Sequence, residues 1–153
     1  MKTVTDILAI LMKVELNFAT LYHNMAIVHG SIDIKLKTAC LVLERQEREH
    51  AKFYERLILE YQQQEPIYVN DALFEVIQHL VTQFKNDLSM VQKNAVQDLL
   101  EFAVSYEYAN GRVLETFLSA LTAINDPHGK IRQIVEELLR AETRHIDAIE
   151  VFL

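Results

Sequence analysis

The sequence is poor in the residues that punctuate a chain: three glycines, two prolines, one cysteine and no tryptophan in 153 residues. Few glycines and prolines mean few tight turns, which argues against a many-stranded sandwich or barrel and for a few long helices. The single cysteine, Cys40, excludes an intrachain disulfide, and the lack of any Cys-x-x-Cys pair excludes a thiolate zinc site or a dithiol redox site. A reducing, cytoplasmic setting is the expectation. Positive charge is also short, with 15 Lys and Arg against 22 Asp and Glu for a formal net charge of -7. A general nucleic-acid or anionic-membrane binder is therefore not expected. No apolar run approaches the ~20 residues of a membrane span, and the early run Ile7 to Met12 is flanked by Asp6, Lys13 and Glu15, unlike a signal peptide. Half of the residues are hydrophobic, enough for one domain over 1–153 to bury a core without disulfide staples.

The apolar residues recur with a helical period, and breaks fall at His29-Gly30-Ser31, at Gln62-Gln63-Gln64-Glu65-Pro66 and at Asn125-Asp126-Pro127-His128-Gly129. These divide the chain into helices over about 5–29, 31–63, 90–124 and 127–152. Thr5 or Thr3 suits the first N-cap, Gly30 suits a left-handed C-terminal position, and Pro127 suits a first helical turn. A further amphipathic run over about 71–84, with Leu73, Phe74, Val76, Ile77, Leu80, Val81 and Phe84, reads as a short helix within a long connection. The expected class is all-α: a left-handed, antiparallel four-helix bundle whose one long crossover makes the second and third long helices parallel.

Along the seam of each long helix, polar residues interrupt the apolar series only in the middle. The first helix reads Leu8, Leu11, Glu15, Phe18, Tyr22, Met25, and the second reads Leu36, Cys40, Leu43, Glu47, His50, Tyr54, Leu57, Tyr61. The third reads Val96, Leu100, Ala103, Glu107, Asn110, Leu114, Phe117, Leu121, and the fourth reads Ile131, Val135, Leu138, Glu142, His145, Ile149, Phe152. Four carboxylates and two imidazoles thus share the mid-seam, with no Lys or Arg among these positions. Burying even one unpaired carboxylate costs several kcal/mol or forces it to protonate. Two divalent metal ions supply the missing positive charge. Carboxylate oxygens with one imidazole nitrogen per metal suit iron or manganese, and the i, i+3 spacing of each Glu-x-x-His puts both side chains on one helix face. The halves repeat this arrangement, with 32 residues from Glu15 to Glu47 and 35 from Glu107 to Glu142. Glu101, Glu44, Glu49 and Glu137 lie beside the seam rather than on it.

In Glu15, Glu47-x-x-His50, Glu107 and Glu142-x-x-His145 the chain resembles the ferritin-like di-iron carboxylate superfamily, nearest the rubrerythrin and bacterioferritin types. The strings Glu47-Arg-Glu-His50-Ala-Lys-Phe-Tyr54-Glu-Arg56 and Glu142-Thr-Arg-His145-Ile-Asp147 share that likeness. The resemblance implies two iron ions per chain, with manganese or zinc as substitutes. It also implies bridging roles for Glu47 and Glu142, terminal roles for Glu15 and Glu107, and one nitrogen each from His50 and His145. The implied activity is redox chemistry on peroxide or dioxygen, as a peroxidase or ferroxidase. Iron storage or trafficking, di-iron hydroxylation and a metal-free interaction bundle are the alternatives. Asn110 stands where rubrerythrins carry a further glutamate, and Arg48 where bacterioferritins carry a haem-ligating methionine, so haem is not implied. Without a rubredoxin domain, a separate electron-donor protein is expected. Eight residues follow His145, and a small homo-oligomer, a dimer, is expected in place of a storage shell.

The remaining polar and aromatic candidates receive structural readings. Tyr22 and Tyr54, two turns from Glu15 and one turn from His50, are assigned to core packing in preference to a redox or proton-relay role. Tyr108 is assigned to packing and Cys40 to a small buried hydrophobe. His23, His29, His79 and His128 fall off the seam or at helix ends and are given no role. Asn110 is equally a structural amide or a neighbour of the ligands, and Asp147 and Glu150 are placed on a solvated face in preference to orienting His145.

Overall fold

In a computed structural model, which describes residues 1–31, 33–91, 95–121 and 129–153, the chain is all-helical. The helices are α1 (Val4–His29), α2 (Ile34–Tyr61), α3 (Asp71–Met90), α4 (Val96–Leu121) and α5 (Lys130–Glu150), and no strand occurs among the described residues. At 1.5 Å per residue the 26-residue α1 and α4 are each about 39 Å long. No helix among the described residues is long and apolar enough to cross a membrane.

The start of α1 is fixed by its own sequence. Thr3 accepts the Asp6 amide through its side chain while Asp6 accepts the Thr3 amide, a capping box that satisfies two end donors. The segment after α2 is pinned to the same place: the Val4 amide donates to Ile67 at 2.9 Å, and the Val69 amide donates to Lys2 at 3.0 Å. Asp33 caps α2 by accepting from the Lys35 and Leu36 amides, and Asn70 caps α3 by accepting from Ala72.

Helix α1 packs chiefly on α2, and α4 chiefly on α5, while α1 with α4 and α2 with α5 bring the two hairpins together. Helix α3 lies against α1 and α4, burying only Ile77, Leu80, Val81 and Phe84. The seam positions are buried throughout, apart from Val96 and Phe152, which are partly covered near the ends of the bundle.

Several boundaries differ from the sequence expectation. Helix α3 continues to Met90 rather than stopping near 84, and α4 begins at Val96 rather than near 90. Beyond Phe84 the α3 sequence is mostly polar, so apolar periodicity fades although the backbone remains helical. Helix α2 spans 34–61 rather than 31–63, because Asp33 supplies the cap and the Gln run lies past the last turn. The expected break at Asn125 to His128 and the helix start at Pro127 lie outside the described residues; α5 is described from Lys130, after Gly129 at φ 60°.

Gly30 corrects an expected conformation. It sits at φ -68°, in right-handed space, and its amide donates to Ala26 at 3.0 Å. The need for glycine is steric: a Cβ there would lie 2.2 Å from the Ala26 carbonyl oxygen and 2.8 Å from the Lys37 side chain. Gly30→Ala is expected to destabilise the fold by about 1–3 kcal/mol through this overpacking, read as a lower thermal midpoint. An unchanged midpoint would show that the α1–α2 corner relaxes freely.

Candidate metal centre

The seam register brings all six candidate side chains together. Glu15 comes from α1, Glu47 and His50 from α2, Glu107 from α4, and Glu142 and His145 from α5. Glu15, Glu47 and Glu107 are 0% exposed and Glu142 and His145 2%. His50 is the least covered, at 8%, with its ring 6.4 Å from that of Phe53, over which the Arg56 guanidinium lies at 4.9 Å.

Potential ligand atoms fall into overlapping groups, all within 4.8 Å of one another in each group: Glu15, Glu47, His50 and Glu142; Glu107, Glu142 and His145; and Glu47, His50 and His145. Glu142 is common to the first two, and Glu47 is grouped with both imidazoles. Glu47 Oε2 lies 3.3 Å from His50 Nδ1, and its Oε1 lies 2.8 Å from His145 Nδ1. His50 Nδ1 is 3.4 Å from Glu15 Oε2, and His145 Nδ1 is 3.5 Å from Glu107 Oε1. Both imidazoles therefore turn Nδ1 toward the carboxylates, with their rings stacked at 5.3 Å between centroids.

The electrostatics are severe. No Lys or Arg is buried among the described residues, so burial and mutual repulsion act with little relief. Burial, followed by the charges of Glu15 and Glu107, raises the Glu47 carboxyl well above its ordinary range. Burial and the Glu107 charge do the same to Glu142. Burial also favours the neutral form of Glu107, but Glu142, the His145 imidazole and the Tyr22 hydroxyl outweigh it, and this carboxyl is lowered. Hydrogen bonding remains incomplete: Glu15 Oε2, Glu47 Oε1, Glu107 Oε2, both Glu142 oxygens, Asn110 Oδ1 and His145 Nδ1 have no hydrogen-bond partner. Buried polar atoms are nearly always paired, and here the unpaired ones are oxygens and nitrogens converging on one spot. These oxygens and imidazole nitrogens form a donor set that could hold a metal ion.

The surroundings supply contacts that the seam pattern did not assign. Gln46 Oε1 lies 3.0 Å from His145 Nε2, so with Nε2–H donating, the Nδ1 lone pair is left facing the carboxylates. Gln46 sits one residue before Glu47 and one turn before His50, a flank position facing α5; that spacing was the available signal. Asp147 and Glu150 are exposed, as assigned. Tyr22, assigned to packing in preference to a redox or proton-relay role, donates its hydroxyl to Glu107 Oε1 across the bundle. A same-helix distance to Glu15 cannot show a contact to α4. Tyr54 is fully buried with an unpartnered hydroxyl, and burial followed by the nearby carboxylate charges raises both phenols.

Asn110 is fully buried, with its Nδ2 donating to Glu15 Oε1 at 3.4 Å. Tyr108 points off the seam, as expected of the residue after Glu107, and its ring is half exposed, so its share in packing is partial. His29 is buried at the end of α1, whereas His23 is exposed and lies 3.1 Å from Glu44. His79 is exposed, and His128 lies outside the described residues. Cys40 is buried, and burial pushes its thiol up to about 11.

No family model, curated protein or solved structure matches the chain.

Two outcomes follow from this geometry. Raised carboxyls at Glu47 and Glu142 favour the folded state most below the ordinary carboxylate range and lose that contribution as pH rises through their folded values. Glu107, lowered, acts in the opposite sense but is one group against two. The metal-free thermal midpoint is expected to fall as pH rises from the ordinary carboxylate range toward neutrality, and added manganese(II) to reverse that slope; a metal-free midpoint that rises throughout would contradict the protonated cluster. Separately, Gln46→Leu is expected to weaken metal binding by roughly 10–100-fold, measured by titration, and unchanged affinity would remove Gln46 from any orienting role.

Proposed function

We propose that the chain is a non-haem binuclear metalloprotein, holding two iron ions and carrying out redox chemistry on peroxide or dioxygen. In this reading the bundle is ferritin-like and antiparallel, with α3 as part of the long crossover between the hairpins, and the protein works as a small homo-oligomer in the cytoplasm. The observation that carries it is a buried set of four carboxylates and two inward-facing imidazoles with no buried lysine or arginine to neutralise it among the described residues. Glu47 and Glu142 suit bridging positions, since each is grouped with ligand atoms from both sides of the cluster. Glu15 and Glu107 then bind terminally, and His50 and His145 each supply Nδ1. Manganese or zinc can occupy the same donors.

Held by these six residues, two ferrous ions would supply one electron each for the reduction of peroxide or dioxygen. The chain's own contribution is placement and exclusion. Gln46 fixes the His145 ring, Asn110 holds Glu15, and Tyr22 holds Glu107. Apolar layers above and below the site restrict water. On the same seam, Tyr22, Met25, Cys40 and Leu100 line a void with room for a molecule about the size of water. A small oxidant suits this interior better than a bulky organic substrate. Re-reduction would come from a separate electron-donor protein.

The test is an anaerobic ferrous titration of the metal-free protein, with Glu47→Ala as its partner and circular dichroism to check that both fold. Binding that breaks at two equivalents per chain and is lost in the folded variant is expected. A wild-type chain that binds no iron saturably would leave a metal-free bundle.

A further inference from the structure

Five of the six cluster residues are sealed from solvent, at 2% exposure or less, and His50 alone shows an edge, at 8%. A molecule arriving from solvent therefore meets the cluster first at His50, beside the flank of α2 on which Gln46 reaches across to α5. Two side chains of that flank stand over the opening. Phe53, half-buried and one turn on from His50, stacks its ring on the imidazole at 6.4 Å between centroids and 25° between planes. The exposed Arg56, a further turn along, holds its guanidinium 4.9 Å from the centre of the Phe53 ring and donates its Nε to the Lys52 carbonyl at 3.4 Å. On the inner side His50 stacks on His145 at 5.3 Å and 16°. Guanidinium, phenyl and two imidazoles thus form one column from the surface to the centre. A cation is attracted to the ring face beneath it, so Arg56 holds Phe53 in place, and the ring swings aside only by giving up both contacts. The cleft of about 540 Å³ at the start of α3 and the end of α4 is lined by none of the six residues and gives no access to them.

We propose that Phe53, held by Arg56, is the specificity-determining residue of the centre: it lets hydrogen peroxide past His50 and shuts out alkyl hydroperoxides. This rests on the binuclear iron reading above. The chemistry itself does not separate the two substrates. Any hydroperoxide takes two electrons, one from each of two ferrous ions, and two protons from water; its O–O bond breaks to leave an alcohol and water, or two waters from hydrogen peroxide. Discrimination then falls to access. Hydrogen peroxide is little larger than water and passes the edge of a ring that covers the imidazole only in part, whereas a tertiary butyl group needs the ring displaced. Arg56 acts through Phe53 and is a positioning residue.

The experiment uses the full chain loaded anaerobically with ferrous iron, its two-equivalent binding checked first. Stopped-flow absorbance follows oxidation by hydrogen peroxide and by tert-butyl hydroperoxide. The wild type is expected to favour hydrogen peroxide, and Phe53→Ala to raise the tert-butyl rate roughly tenfold or more with the hydrogen peroxide rate nearly unchanged. Arg56→Ala, an exposed change that leaves the core intact, should shift the ratio the same way by less. A second readout needs no turnover: ferrous iron is withdrawn by bathophenanthroline disulfonate, which is too bulky to pass the ring. Release from the wild type should not depend on chelator concentration, because the iron must leave first. From Phe53→Ala it should rise with chelator concentration, because the chelator reaches the centre directly; a merely loosened core would speed release without that dependence. A wild type that reduces both hydroperoxides equally fast, or a ratio and a release rate law unmoved in both variants, would make the column plain packing and overturn the proposal. If no iron binds, or hydrogen peroxide does not oxidise it, the binuclear reading fails and this one with it; if oxidation is normal and the variants change nothing, the size filter alone fails.

Discussion

Four carboxylates cannot share a dry helical interior as free anions, and everything around the centre of this bundle answers to that constraint. The chain brings no buried lysine or arginine to them among the described residues. Without metal, protons must take the place of cations, which is why burial holds Glu47 and Glu142 toward their neutral forms while Glu107 keeps its charge. The surrounding core makes the constraint inescapable. Phe18, Leu11, Leu43, Tyr54, Ala103, Leu114 and Leu138 are all buried along the same seams, so the cluster cannot relax outward to water without breaking packing on four helices.

Much of this was readable from spacing. A seam that stays apolar for several turns and admits polar residues only at its middle specifies both a helix face and a depth, and every such polar position proved buried. The i, i+3 pairs carried the rest, since two side chains one turn apart on one helix must face one neighbour. What escaped was interhelical. Tyr22 belongs to α1 by sequence but contacts a carboxylate of α4, and Gln46 of α2 bonds to an imidazole of α5. Periodicity within a helix fixes which way a residue faces but not which atom of a neighbour it meets. Boundaries escaped for a different reason. The last turns of α3 carry Lys85, Asn86, Asp87 and Ser89, helical through their backbone but invisible to a search for apolar stripes.

Helix α3 differs in character from the other four. It contributes none of the six cluster residues, buries one narrow stripe, and lies across α1 and α4, the two helices that each bring a single carboxylate. Its Phe84 reaches Phe18, Phe102 and Tyr106, and its Asp87 takes the Tyr106 hydroxyl. These contacts clamp the carboxylate helices laterally without placing a polar group in the centre.

The division of the cluster between hairpins bears on how the chain reaches its fold. Within α1–α2 and within α4–α5 the partners are close in sequence, so each hairpin can form early and cheaply in loop entropy. Neither hairpin alone holds the whole cluster, because Glu15, Glu47 and His50 lie on one and Glu107, Glu142 and His145 on the other. The strongest charge repulsions, Glu15 on Glu47 and Glu107 on Glu142, lie within a hairpin, but burial outweighs them and is completed only where the two hairpins meet along the seam. Half a site on each surface would leave the carboxylates hydrated until the hairpins dock, so the cost of stripping their water belongs to the packing of hairpin on hairpin and not to the helices themselves.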